Sequence, residues 1–258
     1  MDLLRFKRAL SLRDSGKVAA ALQEFRSLEP SDGEEEANIL SNEAECLRQM
    51  GQVEKAWGCL RESRRVAPQN EILLYLDYQE AMLLWEEKRF RASLERLQTL
   101  WEQNRAALEK TDHRPLYEGV QIRRGLLLAE QGRFVEARPV LEEAISFPLP
   151  IAIKCEVAYS LAVCYSKAAM FDRAEEMFLA SLECAGDEPY VTLAHYDLGV
   201  IYFLKGAHAK AIHEFEQCVP HMAEADLRPD FVHRWLAKAW RALGDDDKAK
   251  HFEKLAKS

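Results

Sequence analysis

Leu198-Gly199-Val200-Ile201-Tyr202, followed by Gly206-Ala207-His208-Ala209-Lys210-Ala211, is the stretch whose reading decides the fold. Taking Gly206 as a turn, a small residue (Gly199) stands seven positions before it and a large apolar one (Tyr202) four before it, while Ala211 follows five after. Two antiparallel helices joined by a tight turn approach to about 8–10 Å only where the facing side chains are small. The stretch therefore predicts a helical hairpin whose closest contact is between residues 199 and 211.

Working outward, the same turn recurs as Gly16 to Ala21, Gly51 to Ala56, Gly132 to Ala137, Ala169 to Ala174 and Gly244 to Ala249, with a weaker copy at Lys88, Phe90 and Ser93. Successive anchors are 35, 37, 44, 37, 37 and 38 residues apart. The small column reads Ala9, Ala44, Ala81, Gly125, Ala162, Gly199 and Ala237, and the large one reads Leu12, Leu47, Leu84, Leu128, Tyr165, Tyr202 and Trp240. On the second helices, Phe25, Leu60, Leu97, Leu141, Phe178 and Phe215 meet the large column.

Composition agrees. Ala, Leu, Glu, Lys and Arg occupy about half of the 258 positions, and Thr occurs three times. That balance marks long or repeated helices and excludes an all-β fold or disorder. A net charge of −8 argues against nucleic acid as a partner. The longest charge-free stretches, Ala144 to Ile153 and Val157 to Ser166, fall short of the roughly 18 apolar residues of a membrane span. The N-terminus shows no secretory apolar run, so the expected location is cytoplasmic.

This pattern resembles the tetratricopeptide repeat (TPR), a 34-residue helix-turn-helix with small, Tyr, Ala, Phe and Pro positions. Leu161-Ala162-Val163-Cys164-Tyr165 and Leu198-Gly199-Val200-Ile201-Tyr202 match it best, whereas Arg8, Glu43, Glu80 and Arg124 stand where Leu is usual. The resemblance implies an all-α, right-handed superhelix, an α-α solenoid of about seven hairpins in a single domain over 1–258. Its repeats fall at about 2–33, 37–70, 71–112, 115–150, 151–187, 188–226 and 229–258.

Boundary chemistry adds detail. Ser31 with Glu34 reads as a capping box, and Asn70 and Asp187 as N-caps. Pro68, Pro115, Pro150, Pro189 and Pro229 punctuate the turns between repeats. Glu34, Glu35 and Glu36 lie in a first helical turn, where negative charge suits the macrodipole. The 44-residue interval predicts an extended second helix from Phe90 to Glu109 that projects beyond the array. The C-terminal helix is expected from Asp247 to Ser258.

No catalytic, metal or cofactor set emerges. The chain lacks a phosphate-binding Gly-rich loop and a nucleophile elbow. The nearest approach to a zinc helix, His213 to Gln217, has Gln where a second His is required. Cys46, Cys59, Cys155, Cys164, Cys184 and Cys218 form no CxxC pair and read as packed thiols. The expectation is a protein that is not an enzyme.

The resemblance implies binding instead, in a groove lined by three positions of each first helix that share one stripe. These are Phe6, Leu10 and Arg13; Ser41, Glu45 and Arg48; Tyr78, Met82 and Trp85; Ile122, Leu126 and Ala129; Tyr159, Val163 and Ser166; Tyr196, Val200 and Phe203; and Arg234, Lys238 and Arg241. The middle four rows are apolar and aromatic and the last is basic. That gradient predicts a scaffold or adaptor whose protein or peptide partner carries apolar anchors and an acidic residue or carboxylate toward the C-terminal end. The alternative is a self-associating assembly unit, such as a homodimer, that fills its own groove. Family members that clamp a chaperone's terminal carboxylate use Lys and Asn, Asn, then Lys and Arg. Here Phe6 and Leu10, Asn42, then Tyr75 and Gln79 stand at those places, which disfavours that subtype.

Overall fold

The computed structural model describes residues 1–67, 72–183, 189–223 and 225–257. Among them are fourteen α-helices and no strand. They are α1 (Leu3–Asp14), α2 (Val18–Arg26), α3 (Gly33–Gln49), α4 (Val53–Val66), α5 (Ile72–Glu86), α6 (Phe90–Leu108), α7 (Arg114–Glu130), α8 (Phe134–Ala144), α9 (Ile151–Lys167), α10 (Phe171–Ser181), α11 (Pro189–Leu204), α12 (His208–Cys218), α13 (Pro229–Ala242) and α14 (Asp246–Leu255). The fold is all-α, built from helical hairpins of the expected kind. The chain divides into two compact units, Met1–Arg124 and Gly125–Ser258, with the boundary inside α7.

The small columns are what the hairpins close on. Ala9, Ala44, Ala81, Ala162 and Ala237 on first helices, and Ala21, Ala56, Ser93, Ala137, Ala174, Ala211 and Ala249 on second helices, are all buried. Phe25, Leu60, Leu97, Leu141, Phe178 and Phe215 have no more than 1% of their surface exposed, so each of the first six hairpins is sealed by one large side chain from its second helix. Where the second helix brings a bulky residue closest, the first helix has lost its Cβ. A methyl group on Gly125 would stand 2.7 Å from Leu141 Cδ2.

Every hairpin turn closes through one hydrogen-bond pattern. The turn residue donates its N–H to the carbonyl three back, and the next residue donates to the carbonyl five back, which belongs to the large column. Gly206 thus bonds Phe203 at 3.0 Å and Ala207 bonds Tyr202 at 2.8 Å. This pair satisfies two carbonyls left over at the helix end and needs a left-handed residue at the turn. Gly206 has φ of 76°. Lys88 and Ala169, where the glycine is missing, are held at 58° and 56°.

Within each unit, successive first helices touch: α3 meets α5, and α9 meets α11, which meets α13. No pair of second helices meets to a comparable extent among the described residues. The first helices therefore form the inner side of each unit's bend, as stacking of hairpins requires.

Several sequence expectations need correction. Asp32, not Ser31, caps α3, accepting from the Glu35 N–H at 2.9 Å, while the Glu35 carboxylate reaches back to the Ser31 N–H at 2.8 Å. The box is shifted by one residue, with Asp32, as good a cap as Ser31, accepting from the helix and Ser31 supplying the N–H that Glu35 reaches. The long helix α6 does not project straight outward. Asn104 breaks its backbone at φ −127° and ψ 17°, its side chain donates to the Leu100 carbonyl, and the terminal Leu108 is fully buried. The last turn of α6 bends to keep an apolar residue out of water. The C-terminal helix runs Asp246–Leu255, since Asp245 caps it through the Lys248 N–H. Cys155 is disulfide-bonded rather than a packed thiol. Cys184, Pro68, Asn70 and Asp187 lie outside the described residues.

Candidate functional site

In the first unit, the inner face is internally matched. Ser41 is buried, and its hydroxyl donates to Gln79 Oε1 at 3.0 Å while Gln79 Nε2 donates to the Ser41 carbonyl. Arg48 lies between Glu45 at 2.8 Å and Glu86 at 2.6 Å, and Arg13 donates to Asn42. Tyr78 leans on Gly119, where a Cβ would meet the phenol oxygen at 2.8 Å. Arg123 stacks over Trp85, 4.7 Å from the ring centre. Met82 and Ile122 are buried, at 6% and 8% exposure. Of the expected apolar row, therefore, only Tyr78 and Trp85 keep appreciable surface in this unit, and Trp85 is already capped by a cation.

The second unit is built differently. Leu126 is buried, but Tyr159 and Val163 on α9, Tyr196, Val200 and Phe203 on α11, and Trp235 on α13 are half-buried. Hydrogen bonds and ring contacts fix the aromatic members. The Tyr159 hydroxyl donates to Asp197 Oδ2 at 3.1 Å, and its ring packs on Phe178 and Tyr190 with centres 5.7 Å apart in each case. Trp235 Nε1 donates to the Tyr196 hydroxyl at 3.2 Å. Phe203 meets Trp235 edge-on at 5.2 Å. Apart from Tyr159 on Phe178, which lies within one hairpin, these contacts join neighbouring hairpins, so α9, α11 and α13 are stitched together by side chains that still present part of their surface.

The basic row is largely engaged by its own helices. Arg234 bridges Asp230 at 3.2 Å, and Arg241 bridges Glu253 at 2.8 Å. Both are exposed pairs of small energetic weight. Lys238 has no carboxylate within 4 Å among the described residues and instead sits 4.3 Å from the Trp235 ring centre.

Electrostatics single out one residue that the spacing argument missed. Asp197 follows Tyr196 on α11 and is the one Asp, Glu, Lys or Arg in that sixteen-residue helix. Burial pushes its carboxyl up to about 6, opposed by the Tyr159 hydrogen bond and the Lys167 charge. Burial also raises the Tyr159 phenol, and the adjacent Asp197 carboxylate adds to that effect. A lone acidic residue in an otherwise apolar helix was the available signal, but it stands beside the chosen stripe rather than on it.

Among the described residues the thiols and histidines assemble no reactive set. Burial pushes Cys46 and Cys164 up to about 11 and Cys218 up to about 12, which holds them as protonated, poorly nucleophilic thiols. His195 pairs with Glu214 at 2.7 Å between α11 and α12. Among the described residues no three His, Cys, Asp or Glu side chains are grouped as a metal site, and no helix is long and apolar enough to cross a membrane.

Two segments match tetratricopeptide-repeat family models, residues 78–149 and 193–219. No curated protein matches the chain by sequence. Among solved structures, pilF of Pseudomonas aeruginosa superimposes with a TM-score of 0.58 at 16% identity, covering 85% of this chain and 90% of that one. PilW, a widely conserved type IV pilus biogenesis factor, gives 0.56 at 17% identity over 85% of this chain and 91% of its own. MamA from Desulfovibrio magneticus gives 0.54 at 18% identity over 74% of this chain and 97% of its own. At these identities the likeness is one of fold.

Proposed function

This chain is a tetratricopeptide-repeat protein, and from that premise we propose that it is a non-catalytic adaptor whose second unit holds a peptide or helical segment on the inner face of α9, α11 and α13. The observation that carries the reading is the state of that face. Tyr159, Tyr196 and Trp235 are locked by hydrogen bonds between hairpins, yet they and Val163, Val200 and Phe203 keep accessible surface. A rigid aromatic surface loses little side-chain entropy on binding, and for this reason Tyr and Trp anchor so many interfaces. In the first unit Met82 and Ile122 are buried, Glu45 and Arg48 are ion-paired and Trp85 is covered by Arg123, which supports placing the partner on the second.

Lys238 is the one member of the basic row without a carboxylate of its own, and it is the residue that an acidic group of the partner would meet. Val163 and Val200 are the positions to test, because they take part in none of the hydrogen bonds that hold the helices together. The double substitution of Val163→Gln and Val200→Gln should weaken a purified partner, identified by affinity capture and reconstituted, by about tenfold or more while far-UV circular dichroism and melting stay as in the parent. Binding that survives with the fold intact would contradict the proposal.

A further inference from the structure

We infer that the inner face of the second unit receives a partner segment that places a Lys or Arg side chain against Asp197, with apolar residues on either side of it. The inference rests on the binding reading above and names the chemistry of the occupant.

One charge on this face is unmatched. On this face Arg234 and Arg241 already have carboxylate partners within 3.2 Å. Asp197 has none. Its hydrogen bond comes from a neutral phenol, Tyr159, at 3.1 Å, and Lys167, the cation that acts on it, makes no ion pair with it. A carboxylate offers about four acceptor sites on two oxygens, and the phenol occupies one of them. Burying an ionised group without an opposite charge is costly, and a partner removes that cost only if it brings the missing charge with it.

The surroundings favour a cation further. The Tyr159 hydroxyl touches the carboxylate and the Tyr159 ring lies 5.7 Å from that of Tyr190, so aromatic surface adjoins the carboxylate. Ring faces attract ammonium and guanidinium groups, and Lys238 over Trp235 shows the same preference a helix away. An acidic side chain placed here would meet a like charge in a poorly hydrated setting. The expected order along the face is thus a basic residue of the partner at α11 and any acidic one further on, at Lys238.

The test is selection of random linear peptides from a phage library on the whole chain at pH 7.5, run in parallel on Asp197→Asn. The parent should enrich sequences with Lys or Arg between apolar residues. In Asp197→Asn the basic preference should fall about tenfold while apolar enrichment persists. Enrichment of acidic residues, or an equal basic preference in both proteins, would overturn the inference. Apolar enrichment without any basic residue would remove the role of Asp197 and leave the binding face standing, whereas no enrichment at all would count against both. A concentration-dependent mass abolished by Asp197→Asn would make a second copy the occupant and overturn the external partner. Should Asp197→Asn fold poorly, carbon-13 NMR titration of the parent replaces it. A selected peptide must lower the Asp197 midpoint by at least about one unit, and an unchanged midpoint contradicts the contact.

Discussion

Gly199 lies so close to Phe215 that a Cβ at position 199 would stand 2.5 Å from Phe215 Cε1, nearer than non-bonded carbons approach. The sixth hairpin is closed on that contact. Gly199→Ala gains helix propensity of about 1 kcal/mol but forces the buried Phe215 ring to move, and overpacking typically costs 1–3 kcal/mol. The clash should win, giving a net loss of about 1 kcal/mol in denaturant unfolding. Combining Gly199→Ala with Phe215→Leu should cost less than the sum of the two single changes.

The turns make the opposite prediction for a substitution that looks disruptive. Ala169 sits at φ 56° where five of the other turns have glycine. Left-handed geometry penalises residues with a Cβ by roughly 1–2 kcal/mol, partly offset by the greater freedom of glycine in the unfolded chain. Ala169→Gly should raise stability by about 0.5–1 kcal/mol, and Gly206→Ala should lower it by a similar amount. Thermal melts of the two variants, moving in opposite directions, check this.

The cap on α3 separates two neighbouring residues. Asp32→Ala should cost about 1 kcal/mol because it strips the acceptor from the Glu35 N–H, whereas Glu34→Ala, on the exposed first turn, should change stability by only a few tenths. Equal losses in the two variants would restore the unshifted capping box.

Asp197 gives a pH dependence whose sign follows from its raised carboxyl. The folded state prefers the neutral acid, so the cost of ionisation is present in full above about pH 6, shrinks as the pH falls from there toward 3.8, and is absent below that, once both folded and unfolded chains are protonated. Asp197→Asn should therefore be more stable than the parent by about 1–2 kcal/mol at pH 8, a figure reduced because the residue keeps some accessible surface. The two melting curves should converge toward pH 4.

Much of the architecture was legible because it rests on local, repeated contacts. Gly125 and Leu141, or Gly199 and Phe215, meet within one hairpin, so columns in the sequence are also contacts in space. The bend at Asn104 was not legible, because the excess length of that repeat said how many residues were added and not that Leu108 would turn inward to be buried. On the inner face, the apolar character of the rows is a matter of residue identity alone. How much surface each residue keeps depends on neighbours from other hairpins, such as Trp235 for Tyr196 and Gly119 for Tyr78. Arg234 with Asp230 is four residues apart on α13 and could have been paired from spacing alone. Asp197 escaped notice because it stands one residue off the stripe.

The central claim is that a partner lies on the first-helix face of the second unit, and site-specific photo-crosslinking tests it most directly. A benzophenone amino acid at Val200, on α11, should give discrete adducts with a partner protein, while the same probe at the exposed Leu179 on α10 should give none. Adducts from Leu179 alone, or adducts from Val200 only to a second copy of this chain, would contradict the account.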